Sequence, residues 1–377
     1  MTVIDRYLLR QFTKALVVFF VSITGLYIVV DAFGNLEEFI DYGEQQGSLF
    51  AVLAAYYGAR VLAFFDLTNG LLTLIAAMFT ITWLQKSREI TALMAAGISK
   101  WRIVTPVVAA VAVVALAAMV NREVVLPRFR DKLSRNAQNW KGENAKQLQP
   151  RYDNQTDILM GGKHTFANEQ RIEQPCFRMP PRFEYFDTQL VAENAYYKEP
   201  IGDQPGGYLL DGVSQPADVH ERTSLLEVQK PVILCPGDTE WLEDNQCFVV
   251  SDLSFEHLEG GSSWRQFSST PALISALRSP CLDFGPDVRV TVHSRFVKPV
   301  LDVTLLFLGL PLVLSRRDRN VFLAVGLSLL IVGAFFVVTM ACHALGANFI
   351  LSPSMAAWAP VIIFVPIAVW MAESLRT

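Results

Sequence analysis

The sequence predicts an α-helical membrane protein with six transmembrane helices, arranged three and three around an inserted all-β domain. Three observations predict this fold class. Hydrophobic residues make up 52% of the 377 residues, and the mean hydropathy is positive, which is too apolar for an ordinary soluble chain of this length. Six apolar stretches approach or reach the roughly 17 to 25 residues that cross a bilayer. Between the third and fourth stretches lies a long polar segment.

The six stretches are residues 15–30, 62–84, 103–120, 299–314, 321–345 and 355–371. The fourth departs most from the pattern, because Asp302 lies inside it and Pro311 lies near its end. The first is not followed by a cleavage site of small residues. We therefore interpret it as a retained span rather than a signal peptide.

The positions of Lys and Arg predict the orientation of the spans. The short segments on one side of the membrane carry most of these cations, whereas the opposite loop after the first span is acidic. By the positive-inside rule the cationic side is the cytoplasm, so both termini are cytoplasmic and the central segment is extracytoplasmic. The net charge of −4 gives no indication of a nucleic-acid partner. The cations are Arg6, Arg10, Lys14, Lys86, Arg88, Lys100, Arg102, Arg316, Arg317, Arg319 and Arg376.

Residues 88–102, REITALMAAGISKWR, predict a short amphipathic helix between spans two and three. Its apolar face has helical spacing and comprises Ile90, Leu93, Met94, Ile98 and Trp101. The small residues Ala92, Ala95, Ala96 and Ser99 form the adjoining face. A smooth face of this kind suits close docking by another protein, but the same residues are compatible with a tight connector between two spans.

The segment between the two sets of spans predicts an antiparallel β domain. A charged helix over residues 122–146 is expected first, and short strands separated by Gly, Pro, Asp and Asn then run from residue 158 to residue 257. Thr270 and Pro271 fit the N-cap and first position of a helix that ends near Arg278. Residues 288–302 lead back to the membrane. The predicted domains are residues 1–121 (with the cytoplasmic helix at 86–102), 122–298 and 299–377.

Four of the five cysteines, Cys176, Cys235, Cys247 and Cys281, fall in the predicted outer domain. In an oxidising compartment they permit one or two disulfides, with three full pairings, and we expect at least one. Free buried thiols are the alternative. Cys342 lies within the fifth span, where we expect it only to pack.

Motifs for the common enzymatic chemistries are missing. The stretch nearest to a Walker A loop has Asp157 where the first glycine belongs and His164 after Lys163. HExxH and GxSxG do not occur, and the five histidines are scattered singly, so no metal, cofactor or catalytic residue is predicted. Asp66, at the outer edge of span two, is either functional or simply hydrated. Asp66 and Asp302 lack the surroundings of intramembrane aspartyl protease sites.

Three segments carry a family resemblance: IDRYLLRQF at the start, REITALMAAGISK after span two, and RFVKPVLDVTLLFLGLPLVLSRR at span four. Together with the arrangement of spans and β domain, they resemble the LptF/LptG-type permeases of lipopolysaccharide export over the whole chain. The resemblance implies an inner-membrane subunit that pairs with a second homologous permease on a dimer of a cytoplasmic ABC ATPase. It also implies a jellyroll shape for the periplasmic domain, which passes lipid to a membrane-anchored periplasmic bridge protein.

The resemblance assigns roles to particular positions. The helix after span two becomes a coupling helix that contacts the ATPase through Arg88, Glu89, Leu93, Gly97 and Ile98, and spans one and five become lateral gates for lipid. The chain departs from the family in having VVDAFGNLEEFID, without lysines, at the outer end of span one, and in having Asn69-Gly70 in place of a proline near the outer start of span two. The candidate contacts to lipid phosphate are therefore other cations that flank the membrane, which equally suit interfacial anchoring: Arg60, Arg122, Arg128, Arg130, Lys132, Arg295 and Lys298.

The function expected from these observations is a permease subunit of an ATP-driven exporter of lipopolysaccharide or a similar amphipathic lipid, without catalysis of its own. The alternative is a mechanotransmission or sensor protein whose outer domain binds a ligand and signals through residues 88–102. An apolar groove open at both ends of the β domain would favour transport, and a closed pocket would favour sensing.

Overall fold

The computed structural model describes residues 2–139, 145–148, 150–183, 186–200, 202, 204–227, 230–259, 261–278, 285–314 and 321–373. The chain forms two compact units. The first, called the membrane unit, comprises Met1–Phe129 and Gly285–Thr377, and the second, called the outer domain, comprises Arg130–Phe284. The sequence prediction placed the boundaries at residues 121 and 298, whereas helical structure of the membrane unit continues past both positions.

The first half of the membrane unit consists of helices α1 (Val3–Gly34), α2 (Leu36–Gln46), α3 (Leu49–Lys86), α4 (Glu89–Ala95) and α5 (Lys100–Val120). A capping box between Thr2 and Asp5 begins α1, and Ser48 caps α3. Residues 50–57, which precede the second apolar stretch, are the start of α3. No proline interrupts the chain between this segment and the span, so the helix is continuous.

After α5 the chain leaves the membrane helix through irregular helical turns. A π-helical turn spans Asn121–Val125 and a 3₁₀ turn spans Leu126–Phe129. The short helix α6 (Arg130–Ser134) and a second 3₁₀ turn (Ala137–Asn139) follow. The predicted continuous charged helix is therefore broken in its described part. Pro127, which has no N–H to donate, lies at the break.

The described part of the outer domain contains eleven strands in one antiparallel sheet. The strand order is β1-β4-β5-β7-β8-β11-β10-β9, and β2, β3 and β6 form a branch that joins β7 through β6. Every pairing is antiparallel, which confirms the predicted β domain. The strands are β1 (Lys146–Gln147), β2 (Arg151–Asp153), β3 (Ile158–Gly161), β4 (His164–Phe166), β5 (Arg171–Glu173), β6 (Cys176–Arg178), β7 (Gln189–Lys198), β8 (Gly207–Gln215), β9 (Leu225–Glu227), β10 (Lys230–Leu234) and β11 (Gln246–Val250).

Three helices complete the outer domain: α7 (Phe255–Glu259), α8 (Gly261–Phe267) and α9 (Thr270–Arg278). The segment DLSFEHL was predicted as the end of a strand, but its second half is α7. Helix α9 was predicted correctly, although its cap is one residue earlier: the hydroxyl of Ser269 accepts the N–H of Ala272 at 3.4 Å. Buried polar contacts support the core, since the hydroxyl of Tyr208 donates to the carbonyl of Leu253 at 2.8 Å.

The second half of the membrane unit consists of α10 (Pro286–Leu314), α11 (Val321–Ala347) and α12 (Pro353–Glu373). Residues 288–302, expected to lead into the membrane, belong to α10, which continues through Pro299 and Pro311. Helix α10 packs against α3, α5, α11 and α12 and forms the centre of the unit.

Six of the helices in the described ranges are long and apolar enough to cross a membrane. Three precede the β domain and three follow it, which confirms the predicted arrangement. Their burial within the chain differs widely: 61% of the most apolar 18 residues of α10 are buried, but only 6% of those of α1 and 22% of those of α11. Helices α1 and α11 therefore present most of their apolar surface outward.

Candidate functional site

Helix α4 is held between two residues with left-handed backbone conformations. Arg88 precedes it with φ 60°, and Gly97 follows it with φ 82°. The N–H of Ile98 donates to the carbonyl of Leu93 at 3.1 Å, and the N–H of Gly97 donates to that of Met94 at 3.0 Å. This pair of bonds is the Schellman motif, which favours glycine at its left-handed position. Gly97 thus has a backbone role in ending the helix, beside the partner contact that the resemblance implies.

The two faces of α4 are oriented as the sequence pattern predicts. Ile90 is buried, and Leu93, Met94 and Ile98 pack against the core of the membrane unit. The indole of Trp101 stacks on Phe307 of α10 with 6.1 Å between ring centroids. Exposed residues of the opposite face and the turn after it are Thr91, Ala92, Ala95, Ala96, Gly97 and Ser99, with Arg88 exposed before the helix and Glu89 half-buried in its first turn.

Polar contacts tie the ends of the neighbouring helices together beside α4. The side-chain amide of Gln85, at the end of α3, donates to the carbonyl of Val313 in α10 at 3.0 Å. The guanidinium of Arg102 lies 3.1 Å from the carboxylate of Asp5 in α1. The segment that carries α4 is therefore fixed to α1 and α10, and a displacement of α4 is expected to reach both helices.

A second polar cluster, which we call the interhelix charge cluster, joins α3 to the end of α5 and to α10. Both Nε and Nη2 of Arg122 donate to one carboxylate oxygen of Asp66, at 3.0 and 2.6 Å. The ammonium of Lys298 donates to the main-chain carbonyl of Asp66 at 2.6 Å and lies 3.9 Å from its carboxylate. The Asp66 and Arg122 side chains are only 15% and 14% exposed, so this pair is largely removed from solvent.

Asp302 lies beside this cluster, against a glycine of α3. A Cβ atom added to Gly70 would collide with a carboxylate oxygen of Asp302, so glycine at this position allows the carboxylate to lie directly against α3. The neighbouring Asn69 is buried and donates to the carbonyl of Asp66 at 2.7 Å. Asn69-Gly70, where this chain departs from the pattern of the family that it resembles, thus lies where α3 meets the half-buried Asp302 carboxylate of α10.

The structure separates the seven predicted phosphate contacts into two groups. The first group contacts other side chains of the protein. Arg122 and Lys298 contact Asp66, and the buried Arg295 lies 3.8 Å from Glu123. Arg130 pairs with Glu256 and lies 3.7 Å from Asp131, and the guanidinium of Arg60 lies 3.6 Å from the ring centre of Tyr56. Arg128 and Lys132 have exposed side chains. The position of these cations beside the spans can be recognised in the sequence. Their counter-ions cannot, because the partners are distant in the chain: Asp66 is 56 residues from Arg122 and 232 from Lys298.

An apolar groove of about 690 Å³ opens on the membrane unit between α5, α10 and α12. Its walls include Leu116, Val300, Val303, Phe307 and Val369. No local sequence pattern predicts this groove, because its walls come from three helices that are distant in the chain. Gly25 of α1 and Gly333 of α11, on the predicted gates, have no atom within 4 Å of an added Cβ and lie beside open space.

The cysteines of the outer domain differ from the expectation of a disulfide. Cys176, Cys235 and Cys247 are free thiols, and Cys281 lies outside the described residues. Cys235 and Cys247 are fully buried in the apolar core, where a thiol packs as a small hydrophobic side chain. Burial raises the pKa of Cys235 to about 12 and that of Cys247 well above its usual range, so both thiols stay protonated. The predicted disulfide is not formed at these positions.

A protein-family model described as "Lipopolysaccharide export system permease LptF/LptG" matches residues 6–175 and 221–374. The matched ranges contain α4, the interhelix charge cluster and the six membrane-crossing helices of the described residues, apart from the first three residues of α1. A comparison with curated proteins gives no match.

Proposed function

Because the chain belongs to the LptF/LptG family of lipopolysaccharide export system permeases, we propose that it is one permease subunit of an ATP-driven exporter. In this proposal it extracts lipopolysaccharide from the inner membrane and passes it toward a membrane-anchored periplasmic bridge protein. A second homologous permease and a dimer of a cytoplasmic ABC ATPase complete the transporter. Hydrolysis of ATP belongs to the ATPase, and the chain itself is the membrane path.

The energetics of extraction support an ATP-driven path. Each acyl CH₂ group that leaves the bilayer loses about 0.8 kcal/mol of burial, and a lipid with several acyl chains contains many such groups. Transfer therefore requires an energy source and apolar surface along the route. The outward apolar faces of α1 and α11 supply such surface.

The position of α4 supports its role as the coupling helix, and it is the observation on which the proposal chiefly rests. Its apolar residues are used for packing on the membrane unit, while its small residues remain exposed for close contact with a partner. The contacts of Gln85 and Arg102 join this region to α10 and α1. A partner that moves α4 would thus move α1, which lines the proposed lipid path, and α10, which packs against α11 on that path.

The distance along α3 supports the proposed orientation. Asp66 precedes Lys86 by 20 residues, which corresponds to about 30 Å along a helix, the thickness of the hydrocarbon core. With α4 and its cations on the cytoplasmic side, the interhelix charge cluster lies near the periplasmic interface. Four of the cations that predict the cytoplasmic side lie outside the described residues, namely Arg316, Arg317, Arg319 and Arg376.

Copurification tests the proposal. The chain would be isolated from its native membranes in mild detergent, and bound lipids and proteins would be identified by mass spectrometry. We expect lipopolysaccharide, an ABC ATPase and a second permease of the same family. Recovery of a signalling protein, without lipopolysaccharide or an ATPase, would instead support the sensor alternative.

A further inference from the structure

The outer domain contains a cavity of about 370 Å³ whose lining is mostly polar or charged, unlike the apolar core of the domain. It lies between α6, the turn that joins β4 to β5, α7 and α8. Its volume falls within the range of about 300 to 1,000 Å³ that is typical of small-molecule sites. The side chains that matter for its chemistry are Arg130, Arg135, Lys146, Asn168, Glu256 and Trp264.

The charges around this cavity are balanced. Three cationic side chains (Arg130, Arg135, Lys146) and three carboxylates (Asp131, Glu169, Glu256) line it. Arg130 pairs with Glu256 across the cavity between α6 and α7. Because attraction and repulsion nearly cancel, a simple anion or cation gains little in this cavity. A ligand that binds here must instead satisfy fixed donors and fixed acceptors together.

The remaining contacts provide adaptable polar groups and a flat apolar wall. Nη1 of Arg135 lies 3.4 Å from the side-chain oxygen of Asn168, a long bond that a ligand group can replace. The Trp264 indole is 7% exposed and contacts the His257 ring edge-to-face, with 4.9 Å between centroids. Burial lowers the pKa of His257 to about 4, so this wall carries no charge at neutral pH.

We propose that this cavity binds a hydroxyl-rich saccharide. A hydroxyl both donates and accepts hydrogen bonds, so neighbouring hydroxyls on a sugar ring can meet the guanidinium groups of Arg130 and Arg135 and the carboxylates that lie between them around the cavity. The apolar face of the ring packs on the indole. The inference rests on the proposed function, in which the exported lipid carries a saccharide. It is the saccharide portion of that lipid, and not its acyl chains, that binds in this cavity.

The test uses the full-length protein in detergent and lipopolysaccharide from which the acyl chains have been removed. Binding would be measured by calorimetry for the wild type and for Asn168→Ala and Arg135→Ala. We expect each variant to weaken binding about tenfold, because each removes one hydrogen bond to a polar ligand. Arg178→Ala, on an exposed position of β6 outside the cavity, is the matched control and should bind as the wild type does.

Three outcomes would overturn the inference. In the first, the wild type does not bind the deacylated saccharide at millimolar concentration. In the second, both cavity variants bind it with unchanged affinity. In the third, inorganic phosphate displaces it completely, which would identify an anion site. Copurification of intact lipopolysaccharide with the wild type would still support the proposed function in each case, so failure of the inference can be distinguished from failure of the proposed function.

Discussion

At the residue scale, the pairing of Asp66 with Arg122 has a measurable consequence for stability. The Asp66→Asn variant keeps the shape of the side chain but removes the charge that faces Arg122 and Lys298 in a largely buried site. We expect it to cost about 2 kcal/mol, the typical value of a hydrogen bond to a charged group, and to lower the midpoint of thermal unfolding. A double-mutant cycle with Arg122→Gln would isolate the pair, since the double variant should be less destabilised than the sum of the two single variants. Strictly additive effects would show that the two residues do not interact.

His257 predicts how the stability of the outer domain depends on pH. Its pKa is lowered to about 4 in the folded chain, chiefly by burial, whereas an unfolded histidine titrates near 6.5. Between these values the unfolded chain binds a proton that the folded chain does not, so stability falls as the pH decreases from 6.5 to 4. Because the side chain is partly exposed, we expect a loss of about 1–2 kcal/mol.

Thermal unfolding followed at several pH values would measure this loss. A His257→Gln variant should be less sensitive to pH between 6.5 and 4 than the wild type. His220, which is exposed, provides the control, since His220→Gln should leave the pH dependence unchanged. Equal pH dependence in the wild type and His257→Gln would refute this assignment.

At the scale of single elements, sequence periodicity predicted the type and faces of the long or strongly patterned segments. The apolar and small-residue faces of α4, and the strands β7 and β8, could be predicted because their patterns are local. The short strands β1 to β5 and the π-helical turn at Asn121–Val125 could not, because their conformations depend on pairing and packing with distant residues. Helix α7 shows the same limit, whereas the break at Pro127 has a local cause, because proline has no N–H to donate.

Glu89 gives the sharpest test of α4. Its carboxylate lies in the first turn, where it complements the positive end of the helix by about 0.3–1 kcal/mol, so the Glu89→Lys variant should still fold and insert. In a close contact with a partner ATPase, however, a reversed charge that becomes desolvated costs several kcal/mol. We expect the variant to lose the ATPase or to retain it without lipid-stimulated turnover, as measured by copurification and ATP hydrolysis in proteoliposomes.

Glu44→Lys is the control for this charge reversal. Glu44 is an exposed residue of α2, in the segment between the first two spans that is predicted to face away from the cytoplasm. Reversal of its charge should therefore leave ATPase binding and turnover unchanged. If Glu89→Lys assembles and releases lipid as the wild type does, α4 is only a connector between α3 and α5.

At the scale of the whole molecule, hydropathy predicted three spans on each side of a polar segment, and the strand and turn pattern of that segment predicted the β domain. Hydropathy did not predict which spans form the centre and which the periphery. That difference arises from contacts such as the approach of Asp302 to Gly70 and the contact of Gln85 with Val313, which join residues more than 200 positions apart. The central position of α10 could be recognised only from these contacts, since its apolar stretch contains the charged Asp302 and the helix has two internal prolines.

The low burial of α1 and α11 predicts that these two helices line the lipid path. Photoreactive residues at Val29 and Val338 should therefore capture lipopolysaccharide, detected as a lipid-linked band. Bulky replacements such as Gly25→Leu or Gly333→Leu should reduce lipid release without loss of the ATPase, because both positions border open space and the added side chain does not disturb packing within the chain. Gly58→Leu on α3, which also borders open space, should leave release unchanged. Lipid crosslinks confined to residues of α3, α5 or α12 would show that the path runs elsewhere, with the groove between α5, α10 and α12 as its alternative location.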